Sequence, residues 1–133
     1  RRIAALGLEG AVELVAYTAR LDEEFRAAWV YCAASRREGL SIAAAEAAAA
    51  GLPLVLTDVS GSDVLVEEGV NGHVARVGDA AALARRVAGL LRDEAARARM
   101  GAASRRRAER LFDPEVVREQ YAGLLRQVAA GRA

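Results

Sequence analysis

The sequence predicts an α/β protein built on an open parallel sheet with flanking helices. Three observations carry that class. Short apolar, β-branched runs at residues 12–17, 29–33, 54–57 and 73–77 alternate with helical segments. Two of those runs, 29–33 and 54–57, have almost no polar break, as strands covered on both faces require. Helix caps at Ser41 and Asp79 punctuate the segments between them.

The elements follow in order. Val12, Leu14, Val15 and Tyr17 form the first strand, closing near Thr18. A helix is expected over residues 21–28, because Asp22, Glu23 and Glu24 suit the positive pole of its first turn. Trp29, Val30, Tyr31, Cys32 and Ala33 make the second strand, and a polar loop over 35–40 follows. Ser41 caps an Ala-rich helix over 42–50, which Gly51 and Pro53 terminate. Leu54, Val55, Leu56 and Thr57 give the third strand. A glycine turn then leads to a short helix over 64–68, an Asn71-Gly72 turn and a fourth strand over 73–77. Asp79 caps a helix whose Leu83, Val87, Leu90 and Leu91 recur at i, i+4, i+7 and i+8. Asp93 opens one more helix and Asp113-Pro114 opens the last, where the missing proline N–H costs nothing. Val117, Tyr121, Leu124 and Val128 share one stripe of that final helix.

Composition narrows the function classes. The 133 residues suffice for one domain and one core. All 19 basic residues are Arg and they face 18 acidic ones, so a net charge of +1 gives no general attraction to nucleic acid or an acidic membrane. No uninterrupted apolar run approaches the roughly 18 residues of a membrane span. The single cysteine, Cys32, excludes an internal disulfide framework and a multi-cysteine zinc site. These features predict a cytoplasmic globular segment.

Ligands of open α/β sheets bind beyond the carboxyl ends of the strands. The loop Ser35-Arg36-Arg37-Glu38-Gly39-Leu40-Ser41 lies there and runs directly into a helix. Gly39 permits close backbone approach, and the amides over residues 40–43 offer a positive pole to a diphosphate. Glu46 lies roughly 7–8 Å along that helix, the depth at which a nucleotide's ribose diol would fall. A carboxylate there accepts two hydrogen bonds. Glu46 is also the only polar side chain of a helix flanked by two strands expected to be buried, so it needs a partner or a ligand. The competing reading makes both glutamates solvated surface positions.

These residues carry a resemblance. Glu38 and Glu46, separated by seven residues, continue into Gly51-Leu-Pro53 and Thr57-Asp58, then Ser60-Gly61 and Glu67-Glu68-Gly69-Val70-Asn71-Gly72. Gly78-Asp79, Arg97-Ala98-Arg99-Met100-Gly101 and Leu111-Phe112 complete the order. Nearly the whole chain thus resembles the donor-binding domain of family-4 retaining glycosyltransferases. The resemblance implies a Rossmann-like sheet forming the C-terminal half of the two-domain GT-B architecture. It implies transfer of a sugar from a nucleotide-diphospho-sugar to an acceptor with retained configuration. Glu46 would hold the ribose, and Glu38 would contact the donor sugar or stabilise its anomeric centre. The Gly39, Leu40 and Ser41 backbone would support sugar and diphosphate. No cofactor or metal is expected, since arginine, lysine and a helix tip neutralise the diphosphate in that architecture.

The resemblance also implies what lies elsewhere. Residues 1–112 would form a partial donor-binding domain, and residues 113–133 its C-terminal helix, packing toward an N-terminal acceptor-binding domain. A strand and a loop with Arg and Lys would precede Arg1, and the chain by itself would be inactive. Peripheral membrane contact, if any, would come through the absent domain. Leu40 stands where the family usually has Phe. Ser60-Gly61-Ser62-Asp63-Val64 replaces Gly-Gly-x-x-Glu, so the family's carboxylate is absent at Val64 or supplied by Asp63 or Glu67. Arg36 and Arg37 are candidates to compensate for the absent basic residues. A non-catalytic nucleotide- or sugar-binding remnant, acting as an interaction module, is the alternative.

Three features are expected to be structural. His73, the one histidine, lacks an obvious acidic neighbour, and Cys32 in an apolar strand behaves as a small hydrophobe. The arginines over residues 97–110 scatter around their helix and form a solvated, internally paired surface instead of a nucleic-acid stripe.

Overall fold

The computed structural model describes residues 1–131. Three parallel strands, β1 (Tyr31–Ala33), β2 (Leu54–Thr57) and β3 (Gly72–Ala75), form one sheet in the order β1-β2-β3. Their register pairs Cys32 with Val55 and Val55 with His73. Among the described residues, seven helices accompany them: α1 (Arg2–Ala5), α2 (Leu21–Ala27), α3 (Ile42–Ala49), α4 (Ser62–Leu65), α5 (Ala80–Arg92), α6 (Glu94–Phe112) and α7 (Pro114–Ala129). The predicted class, an open parallel α/β sheet, is what the chain adopts.

The central strand shows why. All four residues of β2 are buried, and alternate side chains feed opposite layers. Leu54 and Leu56 join Ala44, Ala47 and Ala48 of α3, with Phe25, Leu65 and Ala108. Val55 faces the other way, against Leu90, Ala96 and Met100 of α5 and α6. The alanines of α3 allow close packing, and α6 passes directly by the helix end. A Cβ added to Gly101 would lie 2.2 Å from the Gly51 carbonyl oxygen, so only glycine fits that crossing. Ser41, Asp79, Asp93 and Asp113 each accept a first-turn amide hydrogen bond, as expected of caps.

The sequence misjudged the edges. Residues 12–17 form no strand; they lie exposed, with Tyr17 98% accessible, and do not join the free edge of β1 or of β3. The strand expected over 29–33 shortens to β1 and is not covered on both faces. Trp29 is 62% exposed under the Arg97 guanidinium, and Cys32 is exposed. The helix expected over 64–68 begins two residues earlier as α4, since Gly61 takes a left-handed φ of 78° and starts it. The strand expected over 73–77 stops at Ala75, and Leu91 and Val77 are exposed. The final stripe is present but unburied, with Tyr121 65% accessible and Leu124 and Val128 also exposed.

Asn71, expected only as a turn residue, is a structural keystone with 1% exposure. Its side-chain amide donates to the Leu65 carbonyl at 3.0 Å and to Ser104 Oγ at 3.4 Å. Its oxygen accepts the Glu67 amide at 2.7 Å. His73 does have an acidic neighbour: Glu68 contacts its Nδ1 at 2.8 Å, and also accepts the Val74 amide. Turn geometry brought the pair together, five residues apart.

Candidate functional site at the carboxyl ends of the strands

Because β1 and β2 run parallel, the loops leaving Ala33 and Thr57 emerge side by side. Thr57, buried at the end of β2, ties them: its hydroxyl donates to the Ser35 carbonyl at 2.6 Å. Ser35 in turn donates its hydroxyl to Glu38 Oε2 at 2.7 Å, which fixes the half-buried Glu38 in a loop otherwise largely exposed. Ser41 begins α3 and is itself buried, accepting the Ala44 amide at 3.4 Å. From the facing loop, a Cβ on Gly61 would lie 2.6 Å from the Gly39 carbonyl oxygen. Two backbones therefore meet without side chains between them.

Glu38, Gly39 and Ser41 line one narrow cleft with Ser35, Thr57, Gly61 and Ser62. Its enclosed volume is about 10 Å³, close to a single water. Glu46 and Leu40 lie outside this cleft. They line an adjacent apolar groove of about 410 Å³ with Ile42, Ala45, Phe112 and Arg105. Glu46 is exposed, and among the described residues its carboxylate accepts no hydrogen bond. The expected solitary carboxylate between buried strands is therefore corrected: α3 turns Glu46 to the solvent side while Ala44, Ala47 and Ala48 face the sheet. Tyr31, beneath the start of α3, has its phenol pKa raised by burial, with the Ser41 hydroxyl opposing and the charges of Glu38, Cys32 and Glu46 adding to the rise.

Neither substitute for the carboxylate missing at Val64 reaches the cleft. Glu67 pairs with Arg107 at 3.3 Å, and Asp63 is exposed away from the lining. Arg36 and Arg37 are exposed and do not line it either. The sequence places Ser35 in the loop and Thr57 at the strand end but does not show that the two are joined or that both line the cleft. The available signal was a polar residue closing the apolar run 54–56. Among the described residues, no group of three His, Cys, Asp or Glu side chains is placed to hold a metal ion. No helix among them is long and apolar enough to cross a membrane.

Comparison with known proteins gives this geometry its context. A family model described as "Glycosyl transferases group 1" matches residues 1–107. A phosphatidyl-myo-inositol mannosyltransferase of Mycobacterium leprae is 35% identical over 126 residues, covering 90% of this chain and 33% of that protein. A D-inositol 3-phosphate glycosyltransferase of Streptomyces avermitilis is 40% identical over 90 residues, covering 68% of this chain and 19% of that protein. Among solved structures, HepE of Anabaena in complex with UDP superposes with a TM-score of 0.90 at 27% identity. That match covers 95% of this chain and 35% of HepE. The chain thus spans about a third or less of these relatives. With its ordered Glu38–Glu46 segment, its parallel α/β sheet and a family match over residues 1–107, the chain belongs to the group 1 glycosyl transferases, proteins of the GT-B fold.

Proposed function

We propose that this chain supplies part of the donor site of a retaining glycosyltransferase that uses a nucleotide-diphospho-sugar. The observation that carries the reading is the convergence of Glu38, Gly39 and Ser41 on one cleft, with Glu46 farther along the helix that Ser41 caps. Structures of Anabaena HepE with UDP and with UDP-glucose support a donor of this class. The diphosphate rests on the N-terminal amides of α3, where the helix pole favours negative charge. The cleft is too small for a pyranose, so the sugar lies across its mouth. Glu46, exposed and without a protein partner among the described residues, accepts the two ribose hydroxyls.

Glu38 faces the sugar. Ser35 holds one of its oxygens, and the other is left to act on the donor. Its charge stabilises the oxocarbenium-like character that develops at the anomeric carbon. The rest of the protein supplies the acceptor site and the remaining diphosphate neutralisation. A cytoplasmic setting goes with this reading, and no metal is assigned to it.

A second reading, a donor-binding module without catalysis, draws on one observation: no carboxylate replaces Val64 at the cleft. The two are separated by following UDP-glucose consumption in the full-length protein. The enzyme reading predicts turnover with the donor's anomeric configuration kept in the product, seen by NMR. It predicts that Glu38→Gln cuts kcat by roughly 100-fold or more with donor affinity little changed. Binding without turnover supports the module, and an inverted product contradicts retention.

A further inference from the structure

We propose that Arg107, on α6 and outside the cleft, is a positioning residue for the donor site, acting through α4; this rests on the donor reading above. Its guanidinium donates from Nε to the Val64 carbonyl at 2.9 Å and from Nη2 to the Asp63 carbonyl at 3.1 Å. Nη1 donates to Glu67 Oε2 at 3.3 Å. The Arg107 side chain is only 18% exposed, and the residues it reaches lie at the surface.

The chemistry follows from the shortness of α4. A helix of four residues leaves its last carbonyls without helical partners. Leu65 and Val66 donate their amides back to Gly61 and Ser62, which leaves the Asp63 and Val64 carbonyls to Arg107. The planar guanidinium takes both and sets its charge at the negative end of the turn. At the other end of the same turn, Gly61 and Ser62 line the cleft, and Gly61 abuts the Gly39 carbonyl. Arg107 is itself anchored by a rigid helix: Gly101, Ser104 and Ala108 of α6 are buried, and Ser104 donates to the Asn71 carbonyl at 3.0 Å. Arg107 therefore transmits the position of α6 to the wall of the cleft facing Glu38.

The test compares Arg107→Met, Arg107→Lys and Glu67→Gln in the full-length protein by two readouts. Amide hydrogen exchange over residues 61–66 reports the turn, and UDP-glucose kinetics report the site. Arg107→Met is expected to speed exchange there by tenfold or more and raise the donor KM about tenfold, with kcat within twofold. Arg107→Lys is expected to recover part of both, and Glu67→Gln to match wild type, because the carbonyl contacts remain. Faster exchange with an unchanged KM makes Arg107 a structural residue only and overturns the proposal, as does unchanged exchange. A wild-type protein that binds and consumes no member of a panel of nucleotide-diphospho-sugars, UDP-glucose included, contradicts the donor reading itself and takes the donor part of this proposal with it. The exchange readout still decides whether Arg107 holds α4.

Discussion

Gly61 stands against Gly39 so closely that a single added Cβ would come within 2.6 Å of the Gly39 carbonyl oxygen. Gly61 also has φ of 78°, a conformation that costs other residues about 1 kcal/mol or more. Gly61→Ala is therefore expected to destabilise the chain by about 1–3 kcal/mol and lower its melting temperature by several degrees. Gly39→Ala is the contrast, because a Cβ there meets nothing within 4 Å. It should leave stability within about 0.5 kcal/mol of wild type. Thermal unfolding of both variants checks the asymmetry; equal losses would contradict it.

Asn71 and Ser104 join β3 to α6 through buried polar groups. Asn71→Ala leaves the Leu65 carbonyl and the Glu67 amide without their partner, at an expected cost of about 2–4 kcal/mol. Ser104→Ala removes one donor to the Asn71 carbonyl and should cost about 1 kcal/mol. Urea unfolding measures both, with unchanged m-values expected if only the folded state is affected.

Glu68 gives the chain a pH signature. Burial would raise its carboxyl pKa, but the hydrogen bond to His73, the Val74 amide and the charges of His73 and Arg86 outweigh it and hold the pKa below the ordinary range. A depressed carboxyl contributes stability above its unfolded pKa and loses it as pH falls through the folded one. The group is half exposed, so the contribution is under about 1 kcal/mol. The stability gap between wild type and Glu68→Gln should shrink as pH falls through the carboxylate range. Chemical denaturation at several pH values reads it, and a gap that widens on acidification would be the wrong sign.

The sheet's centre was legible in the sequence, and its edges were not. Leu54, Val55 and Leu56 announce burial because both sides of β2 are filled by helices within the same chain. Residues 12–17 carry an apolar, β-branched pattern and form no strand, because pattern reports propensity whereas a strand also needs its side chains packed, and these stay exposed. Ser41, Asp79, Asp93 and Asp113 were readable as caps, since a cap depends on three or four consecutive residues. The site divided the same way. Glu38, Gly39 and Ser41 came from local spacing, whereas the partners in Thr57 holding Ser35 and in Arg107 holding α4 stand 22 and 43 or more positions apart, which local spacing does not pair.

Glu46 decides between a donor site and a solvated glutamate. The measurement is calorimetric titration of UDP into the full-length protein and its Glu46→Ala variant. Loss of the two hydrogen bonds that the ribose hydroxyls donate to the carboxylate predicts affinity weaker by about 10-fold or more, with the fold unchanged. Equal UDP affinity in the two proteins would contradict the assignment of the Glu38–Glu46 segment as the nucleotide-binding element.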